Sequence, residues 1–115
     1  MIRIPRAAMW TCSAILAAAF VLVGSSKLGG PSALRWADRF AHWGYPSPVR
    51  PVIGILEIVG GVGLLIAKTR RAAAAALVVL MIGAVVTHLR SAEPMRLLPP
   101  LILGGLGLLV YSWRP

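Results

Sequence analysis

Four long apolar stretches dominate this chain and leave it few folds to choose from. They run over roughly Ala7–Leu28, Val49–Ala67, Ala72–Leu89 and Leu97–Trp113. Each approaches the ~20 residues that carry a helix across ~30 Å of hydrocarbon. Two fall a little short, which implies little tilt or a locally thinned bilayer. A backbone in lipid must satisfy its own hydrogen bonds, so only helices and closed barrels span membranes. Barrel strands alternate apolar and polar residues, and these runs do not. The hydrophobic fraction is 58% against 13% charged, whereas soluble domains sit near ~45–50% and ~25%. A soluble core built from 115 residues has no room to hide so much apolar surface. The expectation is an all-α, integral membrane four-helix bundle, one four-span domain over residues 1–115.

The net charge of +9 points to membrane surfaces and not to nucleic acid. Its carriers flank the apolar runs: Arg3 and Arg6, then Lys68, Arg70 and Arg71, then Arg90 and Arg96, then Arg114. That is the pattern of anchoring to anionic headgroups. With four spans both termini share one side. That side carries Arg3, Arg6, Lys68, Arg70, Arg71 and Arg114, and the other carries Lys27, Arg35, Arg39, Arg50, Arg90 and Arg96. The numbers balance, but Lys68-Thr69-Arg70-Arg71 is a dense basic turn of the kind that stays cytoplasmic. Cytoplasmic termini and a bacterial-type plasma (inner) membrane are expected. The first run exceeds the ~7–15 apolar residues of a signal peptide and reads as a spanning helix. The single cysteine, Cys12, excludes an internal disulfide and reads as a small packing residue.

Between the first two runs lies a segment of different character. Pro31-Ser32 is a helix start and Gly44-Tyr45-Pro46 a stop. Ala33, Trp36, Phe40 and Trp43 fall on one helical face, with Ser32, Arg35, Asp38, Arg39 and His42 largely on the other. This predicts a short amphipathic helix near Ser32–Trp43, lying in the interface with Trp36, Phe40 and Trp43 as anchors. Such a helix is placed to roof the bundle, or to serve only as an anchored loop.

One residue breaks the apolar pattern most sharply. Glu57 stands in a second run that is otherwise uncharged from Pro51 to Ala67. An ionised side chain at the bilayer centre costs at least ~2.5–3.5 kcal/mol, so it is paired, protonated or beside a wet cavity. In the four-span topology Glu57 lies ~8–12 Å below the outer surface. Lys27 ends the first helix on that same side, and His88 lies in the last turn of the third. Gly54, Glu57 and Gly61 share a face, as do Phe20, Gly24 and Lys27, and Met81, Ala84 and His88. Small residues beside a carboxylate let a neighbouring helix come close. A Lys27–Glu57 pair follows, with His88 as a further donor or acceptor. Thr87, Ser25 and Ser26 offer hydroxyls, although such hydroxyls often bond their own helix. The cluster reads either as a strut that fixes helix register or as a site for a lipophile with a polar head. Conduction of ions or protons is disfavoured by a single carboxylate in four short spans. A metal site built from Glu57, His88 and His42 lacks any paired ligand spacing, so none is expected. In the fourth run Gly104, Gly105 and Gly107 make a slim packing surface, and Pro99-Pro100 stand near the helix start, where missing N–H groups cost least.

Together these elements resemble a known family. Phe20…Gly24-Ser25-Ser26-Lys27-Leu28, Trp43-Gly44-Tyr45-Pro46, Ile53-Gly54-Ile55-Leu56-Glu57-Ile58-Val59-Gly60-Gly61 and Gly83-Ala84-Val85-Val86-Thr87-His88-Leu89 are similar to the DoxX and DoxX-like proteins, over roughly residues 15–110. The resemblance implies a four-helix membrane bundle with Lys27, Glu57 and His88 as its recurrent polar positions. Relatives are associated with a membrane thiosulfate:quinone oxidoreductase, with membrane-bound oxidative-stress complexes and with receptor assembly. Two functions are therefore expected as alternatives. One is an accessory subunit of a membrane redox complex that binds a quinone or other lipophile through Lys27, Glu57, His88, Thr87 and Ser26. The other is a non-catalytic assembly or scaffold subunit of a larger membrane complex or a homo-oligomer. No nucleophile–base pair, phosphate loop or metal motif supports independent catalysis, and no covalently held cofactor is expected.

Overall fold

The computed structural model describes residues 4–113; Arg3 and Arg114 lie outside the described residues. It contains five α-helices and no strand among them: α1 (Arg6–Ser26), α2 (Gly30–His42), α3 (Val49–Gly63), α4 (Arg70–Arg90) and α5 (Leu98–Ser112), with a 3-10 turn at Pro94–Arg96. Three segments are long and apolar enough to cross a membrane: Arg6–Ser26, Arg70–Arg90 and Pro94–Ser112. Ile15, Leu22, Val59, Val79 and Leu101 are all exposed. Apolar side chains thus face outward from every long helix, as contact with lipid requires.

The second apolar run does not make one continuous helix. Regular α-helix stops at Gly63, four residues before the run ends. Gly60, Gly61 and Gly63 weaken this end, since glycine costs roughly 1 kcal/mol in a helix interior relative to alanine. Leu65 and Ile66 donate instead to Val62 and Gly63 carbonyls three residues back. The Thr69 hydroxyl then donates to the Gly63 carbonyl at 2.8 Å, tying off the end and turning the chain toward α4.

Helix packing runs in a circuit: α1 against α3, α3 against α4, α4 against α5, and α5 back against α1. The tightest approach is α1 on α3. A Cβ added to Gly24 would stand 2.6 Å from the Gly54 carbonyl oxygen, and one added to Gly54 would stand 2.9 Å from that of Gly24. Only hydrogen on both α-carbons permits this crossing. Gly104 and Gly107 serve α4 in the same manner, facing Met81 and Val78, whereas Gly105 faces open space. The glycine surface of the fourth run is therefore spent mainly inside the fold.

The apolar core lies toward the termini. Met9, Leu16, Leu64, Ala74, Leu77, Val110 and Trp113 form one buried cluster, with Cys12 packed at its edge. The Trp113 indole donates to the Ile4 carbonyl at 3.3 Å and closes α1 onto the end of α5. At the opposite end the helices are filled differently, and a cavity opens.

Candidate functional site

The cavity occupies about 650 Å³ beneath α2. Its walls are mostly apolar: Val23 of α1, Ile53 of α3, Leu80, Met81 and Ala84 of α4, and Leu103 of α5. The charged and polar side chains in its lining are Lys27, Arg39, Tyr45, Glu57, Thr87, His88 and Arg96. Val79 and Met95, at 66% and 89% exposed, also line it, so the space opens to the surface of the bundle. A volume of ~300–1,000 Å³ with apolar walls and a few convergent polar groups is the usual build of a small-molecule site.

Lys27 and Glu57 meet as the spacing predicts. The Nζ lies 2.6 Å from Oε1, and the two residues are 7% and 1% exposed. The Gly24–Gly54 contact brings the helices close enough for this bond, one turn before each charged residue. Lys27 Nζ also stands 4.6 Å from the centroid of Trp36. The ammonium thus has a carboxylate on one side and an aromatic face on another, two arrangements that hold a cation out of water. Arg50, near the start of α3, donates to the Lys27 carbonyl and secures the C-terminal end of α1.

His88 goes elsewhere. It lines the cavity, but its Nδ1 is 3.0 Å from Glu93 Oε1 and not on Glu57. The turn after α4 makes this so: Glu93 N donates to the His88 carbonyl, and Ala92 takes a positive φ of 54°, which swings Glu93 back over the helix end. The same carboxylate oxygen accepts the Trp43 indole N–H at 3.0 Å, and Arg96 lies 3.6 Å from its Oε2. These partners, the His88 hydrogen bond foremost and then the Trp43 indole and the Arg96 charge, hold the Glu93 carboxyl below its usual value, against a smaller opposing effect of burial.

Thr87 is buried and lines the cavity. Its hydroxyl shares a hydrogen bond with Tyr45 and donates to the Gly83 carbonyl at 2.8 Å. Ser26 is not among the cavity walls. Its hydroxyl donates to the Val23 carbonyl at 2.6 Å and accepts the Trp36 indole N–H at 3.0 Å. Both of its bonding directions serve the α1–α2 junction, so the expected ligand contact from Ser26 has no geometric basis here.

The amphipathic segment forms α2, which starts at Gly30, two residues before the expected Ser32. Its aromatic face is turned onto the bundle. Phe40 is 7% exposed, and Trp36, Phe40 and Trp43 all line the cavity. Phe40 stands 5.2 Å from Trp43 and 6.0 Å from Tyr45 between ring centroids, and Trp43 meets His88 edge-on at 5.3 Å. The three aromatic residues of the predicted interfacial helix thus form the ceiling of the cavity, with Trp36 and Trp43 still half-exposed.

A family model described as the DoxX-like family matches residues 11–110. The chain belongs to the DoxX-like family. The match covers the cavity, its roof and every polar group just described. This DoxX-like chain, with its outward-facing apolar helices, is a small membrane protein in contact with lipid. No curated protein and no solved structure matches it.

Three participants in this DoxX-like site escaped the sequence. Glu93 sits outside the apolar runs, and nothing local marks it as returning to His88. Tyr45 read only as part of a helix stop. Arg39 falls on the polar face of α2, yet its guanidinium carbon lies 4.9 Å from the Trp36 centroid and it lines the cavity. Glu93 and Tyr45 are marked only by their proximity to Trp43 in the folded chain, whereas Arg39 stands three residues from Trp36 on one helix, a spacing present in the sequence.

Proposed function

We propose that this chain is a single four-span bundle of the bacterial-type plasma membrane, termini cytoplasmic, with α2 roofing its outer end. In this reading it binds a quinone, or a lipophile of like build, as an accessory subunit of a membrane redox complex. The observation that carries the reading is the buried Lys27–Glu57 pair set in the wall of an apolar cavity of about 650 Å³. A structural strut needs no empty space beside it. Here the space lies against the pair, beneath aromatic rings, and opens to the surface of the bundle.

The residues fit such a group. Flat rings suit the faces of Trp36 and Phe40, and a tail leaves along Leu80 and Leu103. His88 offers the ring nitrogen that Glu93 leaves free to an oxygen at the polar end, while the Thr87 hydroxyl, already bonded to Gly83 and Tyr45, shapes that end without donating to the ligand. Lys27 places a positive charge where an oxygen gathers negative charge. When bound, a quinone supplies reversible two-electron, two-proton chemistry. The chain's own residues bind and orient it and exclude water, and Glu93 holds the His88 ring in one orientation.

Native mass spectrometry of the protein released from its own membranes in mild detergent tests this. A bound mass of quinone size that is lost in His88→Phe and in Ala84→Phe supports the reading. A ligand-free chain held to a larger membrane protein refutes it and makes this a scaffold subunit, with Lys27 and Glu57 as internal struts.

A further inference from the structure

The end of the bundle opposite the cavity gathers Arg6, Lys68, Arg70 and Arg71. All three acidic residues of the chain, Asp38, Glu57 and Glu93, belong to the other half. Arg70 is 6% exposed. Its guanidinium carbon lies 4.5 Å from the Trp113 centroid and 5.1 Å from that of Trp10. The rings attract the cation through their faces but offer its N–H edge no acceptor. Among the described residues its buried Nε has no hydrogen-bond partner. The charges of Arg6 and Arg71 bear on it, and both are repulsive. A buried cation with like charges around it calls for an anion.

Two further features converge there. The helix α4 starts at Arg70, and no side chain caps it; the Thr69 hydroxyl is engaged by the Gly63 carbonyl. The positive end of a 21-residue helix is therefore open to an anion. Next to it, the Arg71 guanidinium carbon stands 4.9 Å from the Tyr111 centroid, and its Nε donates to the Tyr111 carbonyl at 3.2 Å. Tyr111 begins a shallow apolar groove of about 140 Å³, completed by Ala75, Val78 and Leu108. Ala75 and Val78 lie one and two turns from Arg71 into the membrane. The groove thus leads from the arginines down the α4–α5 seam.

We propose that this end is a binding site for the phosphodiester of an anionic glycerophospholipid, held by Arg70, Arg71 and Arg6, with an acyl chain in the α4–α5 groove. Guanidinium forks match phosphate oxygens in geometry and charge. Trp10, Trp113 and Tyr111 are the residues that settle at headgroup depth. A free phosphate would satisfy the arginines but leave the groove unused. The site is separate from the cavity and stands whether or not the cavity binds a quinone.

The purified chain in mild detergent is titrated with phosphatidylglycerol, phosphatidylcholine and sodium phosphate, with lipid adducts counted by native mass spectrometry. Phosphatidylglycerol is expected to bind and phosphatidylcholine not. A basic residue at an anionic lipid surface is worth roughly fivefold in affinity, so the double variant Arg6→Gln/Arg71→Gln, changed only at exposed positions, loses about 25-fold. Arg70→Lys keeps the charge but loses the fork and is expected to weaken binding as well. Equal binding of the two lipids, or an affinity unchanged in the double variant, overturns the proposal. Full displacement of phosphatidylglycerol by millimolar phosphate overturns its lipid source.

Discussion

Removing either half of the Lys27–Glu57 pair should cost far more than removing both. The ammonium and carboxylate are 2.6 Å apart and 93% and 99% out of contact with the surroundings. Breaking such a pair from one side leaves an uncompensated buried charge and costs ~3–5 kcal/mol. Lys27→Met keeps the stem that packs between α1 and α3, and Glu57→Gln keeps the shape of the carboxylate. Each single variant should therefore lose ~3–5 kcal/mol, while the double variant returns to within ~1–2 kcal/mol of the parent, because no charge remains to be stranded. The implied coupling is at least ~4 kcal/mol, well above the ~0.3–0.5 kcal/mol scatter of independent sites. Reversible unfolding of all four proteins in mixed micelles, completed as a cycle, measures it. If the two losses add in the double variant, the reasoning fails: the residues would then act separately. The same double variant separates strut from site, because a stable chain that no longer retains ligand shows that the pair is needed for more than folding.

Other outcomes follow from single contacts. Gly24→Ala should destabilise by ~1–3 kcal/mol and weaken the Lys27–Glu57 bond, since the new Cβ meets the Gly54 carbonyl oxygen at 2.6 Å; Gly83→Ala, with open space beside it, should gain up to ~1 kcal/mol in the same unfolding assay. Ala84→Phe projects into the cavity and should abolish ligand retention while changing stability by less than ~3 kcal/mol, as read by melting and native mass spectrometry together. The depressed Glu93 carboxyl contributes stability that is complete above its ordinary value of 4.5 and is lost as pH falls through the lower value of the folded state. Its tie from Trp43 to His88 should therefore release in acid, seen as a change in tryptophan fluorescence below about pH 4.5 that is absent in Glu93→Gln.

The membrane character and the helical class were determined by sequence alone, because hydrocarbon leaves a chain of this composition no other way to satisfy its backbone. The Lys27–Glu57 contact was also legible: glycines at Gly24 and Gly54, one turn from each charge, can bring two helices close only on the face the charges share. Sequence could not give the length of α3. Its apolar run continues past Gly63, and the stop depends on the Thr69 hydroxyl reaching back six residues.

The partners of His88 and the posture of α2 were decided by tertiary structure. A hydrophobic face on a short helix has the same pattern whether or not it closes a cavity, and only the packing of α2 against α1 and α3 places it over one. Glu93 reaches His88 because a left-handed residue at Ala92 reverses the chain, an effect without local signature. Arg70 looked like one member of a basic turn. Between Trp10 and Trp113, two side chains separated by almost the whole sequence, it becomes a buried charge, because burial is a property of neighbours and those neighbours meet only when the bundle closes.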